Sequence, residues 1–130
     1  MIEFHLDPRS GVATYLQIVQ QVKDALRLGT IDVGDQLPTV REVVAHLAVN
    51  PNTVAKAYRE LEREGLVVAR QGRGTFVAES LAPASLHHHD ELRAKLERWV
   101  DEAERAGLDE ESIRALVTAT LRKTWARRVA

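Results

Sequence analysis

The chain has 130 residues, enough for one ordinary domain or a small domain with an appendage, and its 45% hydrophobic content argues against wholesale disorder. A formal net charge of −1 argues against a non-specific coat for nucleic acid, and the lack of cysteine excludes disulfides, thiolate-bound zinc and thiol catalysis. Because no apolar run is long enough to cross a membrane and the N-terminus lacks the apolar core of a signal peptide, we expect a cytoplasmic protein.

The N-terminal part of the chain predicts a strand, a turn and a helix. Apolar and polar residues alternate over residues 2–6, as in a short strand, and residues 7–11 are typical of a turn. A helix is expected over residues 14–28, with Gly29 as its stop and a buried side marked by Tyr15, Ile18, Val22 and Leu26.

The most informative stretch is LPTVREVVAHLAVNPNTVAKAYRELEREGLVVARQGRGTFV, residues 37–77. It predicts two short helices, a turn and a β-hairpin, which is the order of a winged helix-turn-helix. Thr39 is a suitable N-cap for the first helix. Asn50 caps the second, with Pro51 at its first position and Gly65 at its end. The expected fold is therefore mostly α with a small β-wing.

The start of the second helix is where a helix-turn-helix protein reads base edges in the major groove. Asn50, Pro51, Asn52, Thr53 and Lys56 occupy that end. Asparagine can pair with adenine, a threonine methyl can meet that of thymine, and lysine can reach guanine or phosphate. For each residue alone a helix cap or a solvated side chain is the alternative, but the constellation favours DNA binding.

Candidate phosphate contacts come from side chains next to that helix end. Arg41 lies one turn into the first helix, and Tyr58 and Arg59 are further candidates on the second. An ordinary surface charge is the alternative for Arg41, and solvation or pairing with neighbouring glutamates is the alternative for Arg59. Six basic and four acidic residues between 37 and 77 give this stretch a net charge of +2, which permits DNA binding without requiring it.

The hairpin that follows predicts a basic wing. Strands expected over residues 67–71 and 75–78 flank a tight turn at Gly72-Arg73-Gly74. The two glycines let the backbone approach a groove, and the Arg73 guanidinium can enter a narrow minor groove, flanked by Arg70 and Gln71. The alternative is an exposed turn arginine without a partner.

The C-terminal part of the chain predicts a helical hairpin. Pro83 and small residues over 81–85 suggest a boundary, so that residues 1–80 form the winged helix domain and 81–130 a tail. An apolar stripe on two helices is expected to form the interface of a homodimer. The interface residues are Leu92, Leu96, Trp99, Ala103, Ile113, Leu116, Val117, Leu121 and Trp125. A ligand cavity lined by the tryptophans is the alternative.

Other chemistry finds little support in the sequence. Adjacent histidines at His87, His88 and His89 cannot all face one ion, so we expect a solvated lead-in to a helix and no metal site. The GxG at the hairpin tip does not lie between a strand and a helix, so it predicts no phosphate loop. We therefore expect no enzyme and no cofactor.

Residues 37–77, together with DPRSGVATYLQIVQQVKDAL before them and the short helical tail, resemble the GntR family of bacterial transcription regulators, in its YtrA-type branch. The resemblance implies a homodimeric DNA-binding regulator, usually a repressor and often encoded beside ABC-transporter genes. It places DNA contacts at Arg41, Asn50, Asn52, Thr53, Gln71, Gly72 and Arg73. Ala13 departs from the proline common before the tyrosine, and the chain is too short for the large effector domain of other members.

The sequence therefore predicts a homodimer that binds double-stranded DNA at a pseudo-palindromic operator. It would repress by covering a promoter, with transporter or stress genes as the expected targets. No motif specifies a small-molecule effector. The second hypothesis is a winged helix that docks another protein without specific DNA binding.

Overall fold

The computed structural model describes residues 1–82 and 86–129, with the side chains of residues 86–88 left out. Contacts divide the chain into two compact units, Met1–Leu86 and the residues from His87 onward. Part of the predicted boundary, residues 83–85, lies outside the described residues. The elements are α1 (Thr14–Leu28), α2 (Val40–Leu47), α3 (Pro51–Arg63), β1 (Val67–Arg70), β2 (Gly74–Val77), α4 (Leu86–Arg105) and α5 (Glu110–Val129). The predicted winged helix class is confirmed.

The helices of the first unit begin and end at the predicted local signals. The Thr39 side chain accepts a hydrogen bond from the Glu42 amide, and the Glu42 side chain accepts one from the Thr39 amide, which forms a complete capping box for α2. The Asn50 side chain caps α3 by accepting from the Asn52 amide at 2.8 Å. Gly29 ends α1 in the left-handed conformation, φ 69°.

The wing is an antiparallel hairpin in which Val67 pairs with Val77 and Arg70 with Gly74. Its strands differ slightly from the prediction, because Gln71 belongs to the turn, Gly74 already begins β2 and Ala78 lies beyond its end. The Arg73 amide closes the turn by donating to the Arg70 carbonyl at 3.0 Å.

One apolar core joins α1, α2, α3 and the base of the wing. Its largest fully buried side chains are Phe4, Ile18, Leu26, Leu37, Leu61, Val22 and Val54. Each such side chain stabilises the fold by about 1.5–3 kcal/mol through removal of apolar surface from water. α1 and α2 both pack against α3, so the recognition helix is held from two sides.

The strand predicted over residues 2–6 does not form. The backbone of this segment is bonded instead to a glutamine side chain of α1, since the His5 amide donates to Gln21 Oε1 at 2.9 Å and the His5 carbonyl accepts from Gln21 Nε2. Just after the segment, the Asp7 amide donates to Gln17 Oε1 at 2.8 Å. The alternation still has a structural meaning, because Phe4 lies in the core.

The second unit contains α4 and α5, joined by a turn at Gly107. Asp109 caps α5, because its carboxylate accepts from the Ser112 amide at 2.8 Å. Hydrogen bonding from the Ser112 side chain, and secondarily from its backbone, lowers the pKa of Asp109. Among the described residues the two helices make almost no close backbone approaches, so they do not pack along their lengths. No helix in the described ranges is long and apolar enough to cross a membrane.

Candidate nucleic-acid interface

The recognition helix α3 has one buried and one exposed face. Val54, Ala57, Tyr58 and Leu61 are buried against the rest of the domain. The outward side carries Asn52, Lys56, Arg59 and Arg63, all of them exposed. Because the buried face fixes the rotation of the helix, the exposed residues at its N-terminal end point away from the core.

The N-terminal end of α3 combines capping with exposure. The Asn50 side-chain oxygen is already used by the Asn52 amide, so its role as a cap is shown by the structure. Asn50, Pro51 and Asn52 are exposed, and Thr53 is half-buried. The side chains of Asn52 and Thr53 therefore remain the best-placed groups for reading bases at this end.

Lys56 is held by an aromatic ring of another helix. Its ammonium nitrogen lies 4.0 Å from the ring centroid of Tyr15, in the first turn of α1. This cation–π contact restricts the lysine while leaving it exposed. Sequence reasoning placed Tyr15 only on the buried side of α1, and no local signal connects it with Lys56.

Tyr58, predicted as a phosphate ligand, belongs to the core. It is 7% exposed, and its hydroxyl donates to the Pro38 carbonyl at 2.6 Å. Burial, and secondarily the charge of Glu42, raises the pKa of the phenol. Because the hydroxyl is buried and bonded to the segment leading into α2, we leave Tyr58 out of the proposed DNA surface.

Most basic side chains between residues 37 and 77 are free of ion pairs among the described residues and can therefore bind DNA. In the part of the chain that the structure describes, five basic side chains of this stretch form no ion pair: Arg41, Lys56, Arg59, Arg70 and Arg73. Arg41 is exposed in the first turn of α2, and the Arg70 guanidinium lies 6.0 Å from the Phe76 ring centroid. We call these five residues the basic set.

Nearby acids are engaged by partners of their own. Arg63 donates two hydrogen bonds to Glu60, and this bonding lowers the pKa of Glu60. The Lys23 ammonium lies 2.8 Å from Glu64 and connects α1 with the end of α3. These pairs reduce the negative field near the basic set.

The wing tip is formed by glycines in conformations that other residues rarely adopt. Gly72 has φ 74° and Gly74 has φ 123°. Between them Arg73 is exposed, and its carbonyl accepts a hydrogen bond from Gln36 Nε2 at 3.1 Å. Sequence reasoning missed Gln36, because the contact joins residues 37 positions apart.

The structure describes part of the histidine segment and all residues of the predicted tail interface. No cluster of three or more possible metal ligands occurs among the described residues, and the side chains of His87 and His88 lie outside them. In the tail, Ala103 is 6% exposed within the single chain, so little of its surface is left for a partner. Trp99, Ile113 and Val117 are half-buried. The other predicted interface residues, Leu92, Leu96, Leu116, Leu121 and Trp125, are exposed.

A capped recognition helix, a basic set without ion pairs among the described residues and a glycine-flanked wing define a DNA-binding winged helix-turn-helix. A family model described as "Bacterial regulatory proteins, gntR family" matches residues 14–77. The HTH-type transcriptional repressor YtrA of Bacillus subtilis (strain 168) is 38% identical over 109 residues, covering 83% of this chain and 84% of YtrA.

Solved structures agree with this match. YtrA from Sulfolobus acidocaldarius, a GntR-family transcription factor, has a TM-score of 0.55 and 32% identity, covering 75% of this chain and 97% of that chain. AraR(DBD) in complex with operator ORX1 has a TM-score of 0.51 and 30% identity, covering 58% of this chain and 93% of that chain. The chain belongs to the GntR family, and it is a DNA-binding transcription regulator, not an enzyme.

Proposed function

We propose that this regulator is a homodimeric repressor that covers a promoter by binding a pseudo-palindromic operator. Each subunit would place the start of α3 in a major groove and its wing in the adjacent minor groove, with half-sites about one helical turn apart. The observation that carries the proposal is the basic set, which lies on α2, α3 and the wing without ion pairs among the described residues.

We assign roles within this surface by position and chemistry. Asn52, Thr53 and Lys56 read bases, because they occupy the exposed or half-exposed first turns of the recognition helix. Arg41 and Arg59 bind phosphates, which set orientation but carry no sequence information. Arg70, Gln71, Gly72, Arg73 and Gly74 form the wing contact.

The dimer would be formed by the tail. Leu92 and Leu96 on α4 are each 54% exposed, while Leu121 and Trp125 on α5 are 52% and 56% exposed. Between the two helices lies an open groove of about 970 Å³, where Val100, Leu108, Ile113 and Val117 line the wall together with the polar or charged Glu104, Asp109, Glu110, Arg114 and Thr118. A second copy of the tail, carrying the same stripe, is the simplest partner for these surfaces, because monomers rarely expose large contiguous apolar patches.

DNA binding is tested by fluorescence anisotropy. The full chain is titrated against DNA from the region upstream of its own gene and against an unrelated duplex, each at two salt concentrations. We expect a preference of roughly 10³-fold or more for the upstream DNA, and affinity that falls steeply as salt rises. Weak and equal binding to both, and to duplexes selected from the whole genome, would instead mean a protein-docking module.

Base reading is tested at Asn52. Replacing it by alanine should relax discrimination at one operator position and cost about 1–3 kcal/mol of binding free energy. Unchanged discrimination among operator variants would remove Asn52 from the reading residues.

Dimerisation is tested by light scattering coupled to size exclusion. Wild type should have twice the 14.5 kDa chain mass, and Leu96→Glu should shift toward the monomer because it puts a charge into the apolar stripe. Lys95→Glu, an exposed neighbour on α4, is the matched control and should remain dimeric. A dimer unaffected by Leu96→Glu would place the interface elsewhere.

A further inference from the structure

The loop before α2 forms an additional edge of the wing. The Gly34 amide donates to the Val77 carbonyl at 2.9 Å, the Val77 amide to the Asp35 carbonyl at 2.8 Å, and the Leu37 amide to the Thr75 carbonyl at 2.9 Å. These bonds place Gln36 opposite Phe76 of β2. The wing is therefore attached along one side to the segment that leads into α2.

From this position the Gln36 side chain reaches the wing tip. Its Nε2 donates to the Arg73 carbonyl at 3.1 Å, while the Arg73 amide donates to Arg70 within the turn at 3.0 Å. Both backbone polar groups of Arg73 are thus bonded. Fixing them restricts the direction of the bond from Cα to Cβ, and so the direction in which the guanidinium extends.

The residue after Arg73 leaves room for this contact. A Cβ added to Gly74 would lie 2.5 Å from Gln36 Nε2, closer than real contacts allow, and Gly74 has φ 123°. Only glycine combines that backbone conformation with space for the side-chain amide of Gln36. Gly74 therefore serves the Gln36 contact as well as the turn.

We propose that Gln36 is a positioning residue for DNA recognition, which fixes the backbone of Arg73 so that its guanidinium enters the minor groove. This proposal rests on the proposed function of the wing. Gln36 touches no base and acts through Arg73. Loss of its donor should loosen the tip without unfolding the domain, because the bond is solvent-exposed and the backbone bonds of residues 34–37 remain.

The test is a double-mutant cycle on the full chain, using a duplex that the wild type selects from a random-sequence pool. The variants are Gln36→Ala, the nearly isosteric Gln36→Glu, Arg73→Ala and the double variant Gln36→Ala with Arg73→Ala. Gln20→Ala is the matched control, since Gln20 makes an exposed side-chain bond to Asp24 on α1, away from the wing contact. Order at the tip is followed separately by ¹⁵N relaxation of the Gly72, Arg73 and Gly74 amides.

Each Gln36 variant should weaken binding by roughly three- to tenfold, the range expected for loss of one hydrogen bond. In the Arg73→Ala background, Gln36→Ala should cause no further loss of DNA affinity. In the free protein, Gln36→Ala should lower the order of the tip amides and leave the order of the core amide of Leu61 unchanged. Additive losses in the cycle, or unchanged tip order, would overturn the proposal. If the wild type selects no duplex, the proposed function itself fails, whereas the relaxation result still decides whether Gln36 orders the tip.

Discussion

Replacing Tyr58 by phenylalanine separates its role in the core from the phosphate role that its place on α3 suggested. The substitution removes one hydroxyl and keeps the ring, which is 7% exposed. That hydroxyl donates to the Pro38 carbonyl at 2.6 Å, and Pro38 is itself buried. The variant therefore leaves a carbonyl without its partner in the interior.

The expected loss of stability follows from that unpaired carbonyl. An intramolecular hydrogen bond contributes about 0.5–1.5 kcal/mol net, while an unsatisfied buried group costs about 1–3 kcal/mol. The ring still fills its site, so no cavity adds to the loss. We expect Tyr58→Phe to lower the free energy of unfolding of the first unit by about 1–3 kcal/mol.

Amide hydrogen exchange followed by NMR measures this loss within the intact chain. Protection of Val54 and Leu61 should fall, while amides of α5 serve as an internal reference because they belong to the other unit. Tyr15→Phe is the matched control, since it removes the other tyrosine hydroxyl and keeps the ring under Lys56. Unchanged protection, or a loss of DNA affinity in Tyr58→Phe at temperatures where both proteins are folded, would refute the reasoning.

Three further outcomes are expected. Because the folded state raises the pKa of Tyr58, the unfolded state loses its proton first as pH rises past about 10. Denaturant titrations should then show stability falling above that pH in wild type, and a smaller fall in Tyr58→Phe. Tyr15→Leu should weaken operator binding by roughly two- to fivefold through loss of the cation–π contact with Lys56, whereas Tyr15→Phe should not. Arg59→Gln should lower the slope of log affinity against log salt by about one, because Arg59 forms no ion pair among the described residues. Arg63→Gln should change the slope less, since Glu60 already holds that guanidinium, and equal slopes for the two variants would contradict the assignment.

Local signals were sufficient to predict most of the winged helix unit. The capping box at Thr39, the Asn50-Pro51 start and the left-handed Gly29 act within one turn of a helix, so the chain itself reveals them. The alternation over residues 2–6 was a weaker guide. Phe4, one of its apolar positions, is buried, but the alternation gave no information about what the backbone would bond to.

The contacts that position the interface could not be predicted because they are tertiary. Tyr58 meets Pro38 across 20 positions, and Gln36 meets Arg73 across 37. Position on the exposed or buried face of α3 decides whether a polar side chain reads DNA or supports the core, and Tyr58 carries a hydroxyl on the buried face. Its polar group invited a functional prediction, although its helical position matched Val54 and Leu61.

The distribution of charge explains how a chain with a net charge of −1 presents a basic surface to DNA. Residues 37–77 have a net charge of +2, the other residues of 1–82 have −3, and residues 86–129 have none. Within 37–77, Glu42, Glu60 and Glu64 each have a partner in the fold, while the basic set keeps its charges free of ion pairs among the described residues. Phosphate binding depends on the local electrostatic potential, so the basic surface permits operator binding. The negative net charge of the whole chain disfavours non-specific binding along DNA. A substitution that removes the partner of one of these glutamates should therefore weaken DNA binding more than a substitution that adds one negative charge to α4 or α5.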